Sequence, residues 1–135
     1  MLGSFVTLDV GLDTGYCHFE NNRFKYSETI NFREKESISR LSYLLLTSRP
    51  QFIVCEFPSY IYNGELQKQL LEISNTVRLL AKSTPIHEVN PGQWKPLKNI
   101  LRLPKNLPYK MDAHQQDAFR IGLYWMRNHK DYPNK

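Results

Sequence analysis

The stretch "SFVTLDVGLDTGYCHFENNRFKYSETINF" (residues 4–32) sets the fold class of this 135-residue chain. Residues 4–10 are rich in β-branched and aromatic side chains, which predicts a strand that ends before a "GLDTG" turn (11–15). Residues 16–20 and 24–32 alternate between apolar and polar side chains, and "NNR" (21–23) between them is typical of a hairpin turn. The sequence therefore predicts three consecutive antiparallel strands.

The rest of the chain alternates helices with strands. Apolar residues at helical spacing predict a helix within 34–50, a second over 65–82 and a last over 113–127. The inward-facing residues of the first two helices are predicted to be Ile38, Leu41, Leu44 and Leu45, then Leu66, Leu70, Ile73, Val77 and Leu80. "QFIVCEF" (51–57) predicts a strand buried on both faces, and "PIHEV" (85–89) a short strand. The order βββαβαβα indicates one α/β domain over 1–135, with a mixed sheet flanked by helices.

Composition narrows the class of protein. Hydrophobic residues make up 41% of the chain, and no apolar run approaches the roughly 20 residues that a membrane-spanning helix needs. The N-terminus lacks a basic region and a cleavage site, so we expect a strand there and not a signal peptide. Cys17 and Cys55 lie in apolar runs and are expected to be reduced core thiols, which suits the cytoplasm.

Positive charge is concentrated in the last third of the sequence. The formal net charge is +5, and the Pro-broken segment at 90–109 carries several of the basic residues. A partner bearing phosphates would account for this excess, and so would an ordinary soluble basic surface. Charge alone leaves both interpretations open.

Two carboxylates stand where an apolar core would be expected. Asp9 ends the first predicted strand, and Glu56 directly follows the apolar residues 52–55. A carboxylate at the end of a buried strand is costly unless it is paired or holds a metal ion. Because the two strands are neighbours in the predicted topology, Asp9 and Glu56 are expected to form one site.

The last helix adds a histidine and a third carboxylate. His114 and Asp117 are three residues apart and share a face with core positions further along, so they are expected to point toward the sheet. Alternatively, His114 is a surface residue and Asp117 an acid favoured early in a helix. Asp112 fits a helix N-cap, with Gln115 completing a capping box.

Three carboxylates and an imidazole form an oxygen-rich site. Such a site suits Mg²⁺ or Mn²⁺ better than zinc. It can hold two ions about 3.5–4 Å apart, which activate water and stabilise the leaving oxygen of a phosphodiester. The basic segment would then bind the nucleic-acid backbone.

Four segments span nearly the whole chain in a fixed order: "LDVGLDTGY" (8–16), "FIVCEF" (52–57), "VNPGQWK" (89–95) and "HQQDAF" (114–119). The set resembles the motifs of the RuvC-type Holliday-junction resolvases of the RNase H-like nuclease superfamily, including phage-type members. The resemblance implies an RNase H-like sheet of three antiparallel strands followed by parallel strands, with helices on both faces. It also implies that Asp9, Glu56, His114 and Asp117 are catalytic metal ligands.

The resemblance further implies residues that contact DNA. Lys95 is implied as a phosphate contact near the cleavage site, whereas a second basic residue of the family has no clear counterpart. Lys98, Lys105 and Lys110 are the candidates for it. Family members often carry an aromatic wedge three positions after the glutamate, where this chain has Ser59; Tyr60 or Tyr62 is the candidate substitute. Trp94 is expected to pack under its loop and not to read bases.

The function implied is a crossover-junction endodeoxyribonuclease that resolves four-way junctions by paired phosphodiester hydrolysis. It would use two Mg²⁺ ions per site, with Mn²⁺ as a substitute, and act as a C2 homodimer in the cytoplasm, or the host cytoplasm for a phage protein. Leu71 and Leu79 lie opposite the buried stripe of the second helix and are a candidate dimer patch. A nuclease for RNA or other branched DNA and a non-catalytic nucleic-acid-binding module remain as alternatives.

Overall fold

The computed structural model describes residues 3–59, 64–107 and 109–129, which form a five-stranded mixed sheet with helices on both faces. The elements are β1 (Ser4–Asp9), β2 (Asp13–Glu20), β3 (Arg23–Asn31), α1 (Ser37–Ser48), β4 (Phe52–Glu56), α2 (Gly64–Ala81), β5 (Ile86–Glu88), α3 (Pro91–Trp94) and α4 (Ala113–Asn128). The strand order is β3-β2-β1-β4-β5. Strand β2 pairs antiparallel with both β1 and β3, whereas β4 pairs parallel with β1 and β5 pairs parallel with β4. The predicted α/β topology is confirmed.

One local prediction was wrong, and two short elements were not predicted. The turn predicted over 11–15 is shorter, because β2 already begins at Asp13. The Thr14 hydroxyl donates to Gly11 O (2.7 Å) and accepts from Gly11 N–H (3.1 Å), which closes the turn early. The basic segment contains α3 and a 3₁₀ turn (Lys95–Leu97) that were not predicted, because they are shorter than the periodicity a helix signal needs.

Side-chain alternation along the strands builds a core on each face of the sheet. One core packs against α4 and contains Phe5, Cys17, Phe19, Phe52, Val54, Ile121 and Trp125. The other packs against α1 and α2 and contains Val6, Leu8, Tyr16, Ile53, Cys55, Leu41 and Ile73. Both cysteines are buried and free, as predicted, and burial raises the pKa of each thiol.

Two residues predicted to face inward do not. Ile38 is 49% exposed, because the buried stripe of α1 runs through Ser37 and Leu41 and leaves Ile38 about 100° away. Leu66 is 37% exposed, because it lies in the first turn of α2, beside an open cleft. Leu71 and Leu79 are exposed, as predicted. No helix in the described part of the chain is long and apolar enough to cross a membrane.

Helix α4 approaches the sheet unusually closely. A Cβ at Gly15 would lie 2.0 Å from the carbonyl oxygen of His114, and one at Gly122 would lie 2.2 Å from the Phe19 ring. The buried Thr7 hydroxyl donates to Ala118 O (2.6 Å) and ties the helix to β1. These contacts fix the first turns of α4 over the ends of β1 and β2.

Candidate active site

Asp9 and Glu56 lie directly opposite each other at the ends of β1 and β4. The parallel register pairs Asp9 with Glu56, which confirms the prediction that these two residues are neighbours. Alternation places both on the face that carries Thr7 and Val54, which is the face covered by α4. The carboxyl ends of parallel strands are where open α/β sheets bind ligands.

The environment of Asp9 disfavours its charged form. Burial is the largest cause of its raised pKa, followed by the charges of Glu56 and Asp117; the Lys95 ammonium acts in the opposite direction. Together these effects raise the pKa of Asp9 from 3.8 to about 7. The two carboxyl groups are therefore closely packed with too little positive charge between them.

Asp117 lies on α4 near the carboxylate pair. Its charge acts on Asp9, and its side chain is 27% exposed. Asp117 Oδ1 lies 4.0 Å from Arg120 Nη1, and the Arg120 Nε–H in turn donates to Leu101 O (3.3 Å). Asp117 is thus positioned by its own helix beside the carboxylate pair.

His114 faces Asp13 at the start of β2, the strand beside β1. Its side chain is 44% exposed at the mouth of the cleft, and Nε2 lies 3.9 Å from Asp13 Oδ2. Asp13 Oδ1 in turn accepts from Arg33 Nη1 (3.1 Å). This orientation arises because α4 begins at Ala113, so His114 lies in its first turn, beyond the packed core and next to the start of β2.

Asp112 is the N-cap of α4, as predicted. Its Oδ1 accepts from Gln115 N–H (2.9 Å), and its Oδ2 accepts from the Thr29 hydroxyl. Burial would raise the pKa of Asp112, but these hydrogen bonds outweigh it and hold that pKa below its usual value. The reciprocal half of the predicted capping box was wrong, because the Gln115 side chain accepts from Ser27 Oγ (2.7 Å) instead.

Trp94 is fully buried, as predicted, but it also touches the carboxylate pair. Its Nε1–H donates to Glu56 Oε1 at 2.6 Å. Lys95, the next residue, is exposed and lines the cleft, with Nζ 5.7 Å from the centroid of the Trp94 ring. The short helix α3 therefore places a hydrogen-bond donor inside the site and a positive charge at its rim.

The other predicted DNA contacts are more distant or fall outside the description. Lys98 is exposed on the same basic segment. Lys105 and Lys110 are exposed around a separate depression that also contains Tyr109. Tyr60 and Tyr62, the candidate wedges, lie outside the described residues, while Ser59 lines the cleft.

The carboxylate pair lies in an open cleft of about 810 Å³. Its lining includes His114, Lys95, and Leu66 and Leu70 of α2. Within the residues described, no three His, Cys, Asp or Glu side chains converge closely enough, as they stand, to hold one ion. The donor chemistry nevertheless fits a hard divalent cation, because a cation between Asp9 and Glu56 would neutralise the repulsion that raises the pKa of Asp9.

Sequence reasoning missed two residues of this site. Asp13 had a signal, since it is an acid within the Gly-rich stretch that follows Asp9. The Trp94 hydrogen bond had none, because residue spacing does not show that a buried indole of α3 reaches the end of β4.

The architecture is similar to solved structures of one nuclease. Thermus thermophilus RuvC in complex with a Holliday-junction substrate superposes with a TM-score of 0.73 and 18% identity, covering 94% of this chain and 96% of that one. A second Thermus thermophilus RuvC structure gives a TM-score of 0.68 at 18% identity, with 93% and 96% coverage. The chain matches no protein-family model and no curated protein sequence. The likeness shows a RuvC-type, RNase H-like fold.

Proposed function

We propose that this chain is a metal-dependent, structure-selective DNA endonuclease that resolves four-way junctions. The observation that carries the proposal is the half-buried Asp9–Glu56 pair at the carboxyl ends of two parallel strands, with the charge of Asp117 nearby. Further support comes from the similarity to RuvC, which has been solved with a Holliday-junction substrate. A perturbed carboxylate in a cleft is a recognised mark of a functional site.

Asp9, Glu56 and Asp117 would hold Mg²⁺, or Mn²⁺ in its place, with His114 as a further ligand for a second ion. When bound, such ions supply Lewis-acid stabilisation of the phosphodiester and lower the pKa of bound water. The carboxylate side chains would hold the cation by their oxygens, and partial burial in the cleft would strengthen these electrostatic contacts.

His114 has two possible roles in this proposal. A ring nitrogen either ligates the second cation or accepts the proton of the attacking water. The Asp13 carboxylate, 3.9 Å from Nε2, would stabilise the imidazolium that proton acceptance creates. Arg33 fixes that carboxylate from the other side.

The basic segment would bind the phosphate backbone. Lys95 lies at the rim of the cleft and is the closest candidate, and Lys98 continues the exposed positive surface. Such contacts position DNA without reading its sequence. The net charge of +5 supports an electrostatic contribution to binding.

Resolution of a four-way junction by paired cuts needs two identical sites, so the proposal includes a C2 homodimer. Leu71 and Leu79 on α2 are 44% and 77% exposed and are the candidate isologous patch. The free, buried thiols of Cys17 and Cys55 suit a reducing compartment, so the proposed reaction would take place in the cytoplasm.

A second candidate is a nucleic-acid-binding module without cleavage activity. One observation favours it: in the part of the chain that the structure describes, no three candidate ligands converge on one point without rearrangement. Asp117, close to Arg120, would have to turn toward Asp9 when a cation binds.

The deciding experiment incubates the protein with a labelled four-way junction, a linear duplex, a single strand and an RNA–DNA hybrid, in Mg²⁺ and in EDTA. The proposal expects paired cuts in the junction in Mg²⁺ alone. Asp9→Asn should bind the junction and leave it intact, whereas Glu72→Gln, an exposed carboxylate change on α2, should cut normally. Binding without cleavage by the wild type would favour the second candidate, and preferred cutting of the hybrid would change the substrate class.

A further inference from the structure

The hydrogen bond between Trp94 and Glu56 is short, and its donor is fully buried. The Trp94 side chain is 0% exposed, and its Nε1 lies 2.6 Å from Glu56 Oε1. An indole N–H can only donate, and a buried donor without an acceptor is destabilising. The fold therefore keeps Glu56 Oε1 engaged as long as Trp94 stays in place.

Local structure holds Trp94 in place. Helix α3 begins with a complete capping box between Asn90 and Gln93, in which Asn90 N–H donates to Gln93 Oε1 (2.8 Å). Val89 N–H donates to Cys55 O (2.9 Å), which joins the end of β5 to the residue before Glu56. The indole packs in the core beneath α4. Hydrogen bonds and core packing thus tie Trp94 to the end of β4, where Glu56 lies.

We infer that Trp94 is a positioning residue that sets the orientation of the Glu56 carboxylate toward a divalent cation. This inference rests on the proposed function and deepens it. A hydrogen bond at Oε1 restricts rotation of the carboxylate and so determines where its second oxygen points. Residues behind a metal ligand commonly tune affinity in this way.

The positioning role predicts a difference between two cations. Mg²⁺ demands near-ideal octahedral geometry, whereas Ca²⁺ accepts irregular and bidentate carboxylate binding. A Glu56 side chain that has lost its hydrogen bond to Trp94 should therefore still bind Ca²⁺ but bind Mg²⁺ poorly. A purely structural role for Trp94 would weaken both ions equally, through general loss of the fold.

The test compares Trp94→Phe, which keeps the ring and removes the donor, with Trp125→Phe as the matched control at the second buried tryptophan. Titration calorimetry on the DNA-free proteins measures Mg²⁺ and Ca²⁺ binding, and thermal unfolding checks the fold. For Trp94→Phe we expect Mg²⁺ affinity to fall by about tenfold, with a much smaller change for Ca²⁺. Trp125→Phe should leave both affinities and junction cleavage unchanged. Unchanged Mg²⁺ affinity in a folded Trp94→Phe, or equal losses for both cations, would overturn the inference.

A second measurement tests the inference in case the Trp94→Phe variant fails to fold. The sequence has two tryptophans, so the indole N–H region of an NMR spectrum of ¹⁵N-labelled protein holds two resonances, and Trp125→Phe assigns them. The Trp94 resonance should move as Mg²⁺ is added, and Glu56→Ala should remove its protection from solvent exchange. If the Trp94 indole resonance keeps its chemical shift and its protection from solvent exchange in Glu56→Ala, the inference is overturned. This comparison needs no added metal. A wild type that binds Mg²⁺ but cuts no junction would instead count against the proposed function alone.

Discussion

Replacing Asp9 by asparagine should stabilise the metal-free protein at alkaline pH. The pKa of Asp9 is raised from 3.8 to about 7 in the folded chain. Between these two values the folded state binds more protons than the unfolded state, so the free energy of unfolding falls as pH rises through this window. The stability linked to protonated Asp9 is fully present below pH 3.8 and is lost above pH 7. Asparagine carries no such dependence.

The magnitude follows from the size of the shift. Each pKa unit corresponds to about 1.36 kcal/mol, so a shift of roughly three units gives an upper bound of about 4 kcal/mol. Solvent in the open cleft screens part of this effect. We therefore expect the free energy of unfolding of Asp9→Asn to be about 2–4 kcal/mol higher than that of the wild type at pH 8 in EDTA. At pH 4 the two proteins should unfold at nearly the same urea concentration.

The assay is urea unfolding followed by tryptophan fluorescence at pH 4 and pH 8, with Glu72→Gln as an exposed carboxylate control. Mg²⁺ at about one hundred times its dissociation constant should add about 2.7 kcal/mol to the wild type and much less to Asp9→Asn. Equal stability of wild type and Asp9→Asn at pH 8 in EDTA would refute the electrostatic reasoning. Equal stabilisation of both by Mg²⁺ would refute Asp9 as a metal ligand.

Three further predictions concern the proposed reaction and assembly. His114→Ala should slow junction cleavage by about 100-fold in single-turnover assays, with partial rescue in His114→Asp; an unchanged rate would make His114 a surface residue. Lys95→Ala should weaken binding to all DNA sequences and reduce the slope of log affinity against log salt by about one, whereas a sequence-selective defect would contradict a backbone contact. Sedimentation at micromolar concentration should find a dimeric wild type and a monomeric Leu71→Glu/Leu79→Glu; a dimeric double variant would exclude that patch.

The sequence predicted the order of the elements because its periodic signals were long and agreed with each other. The alternation in β2 and β3 and the apolar stripes of α1 and α2 each repeat over several residues. Asp9 and Glu56 could be placed together for the same reason, since each ends a strand whose identity was clear. Periodicity failed to predict burial at the first turns of α1 and α2, where Ile38 and Leu66 lie outside the buried stripe of their helix.

The parts of the site that depend on a few side chains were not predictable from spacing. His114 turns to Asp13 because α4 starts one residue before it, and no pattern in the sequence fixes that angle. The contact between Trp94 and Glu56 joins residues 38 positions apart through a four-residue helix that carries no periodic signal. Such contacts depend on how elements dock, which tertiary packing decides.

The pairing of Asp9 with Glu56 makes the alignment of two strands a condition for the proposed activity. Side chains alternate every residue, so a slip of one position between β1 and β4 would send one carboxylate to the α1/α2 face and leave the other under α4. Such a molecule would keep almost all of its backbone hydrogen bonds and much of its helix content. It would nevertheless be unable to bring both acids to one cation. In a refolded preparation, the fraction of molecules that bind Mg²⁺ would therefore equal the fraction with correctly aligned strands. Circular dichroism would not distinguish these molecules from those with slipped strands.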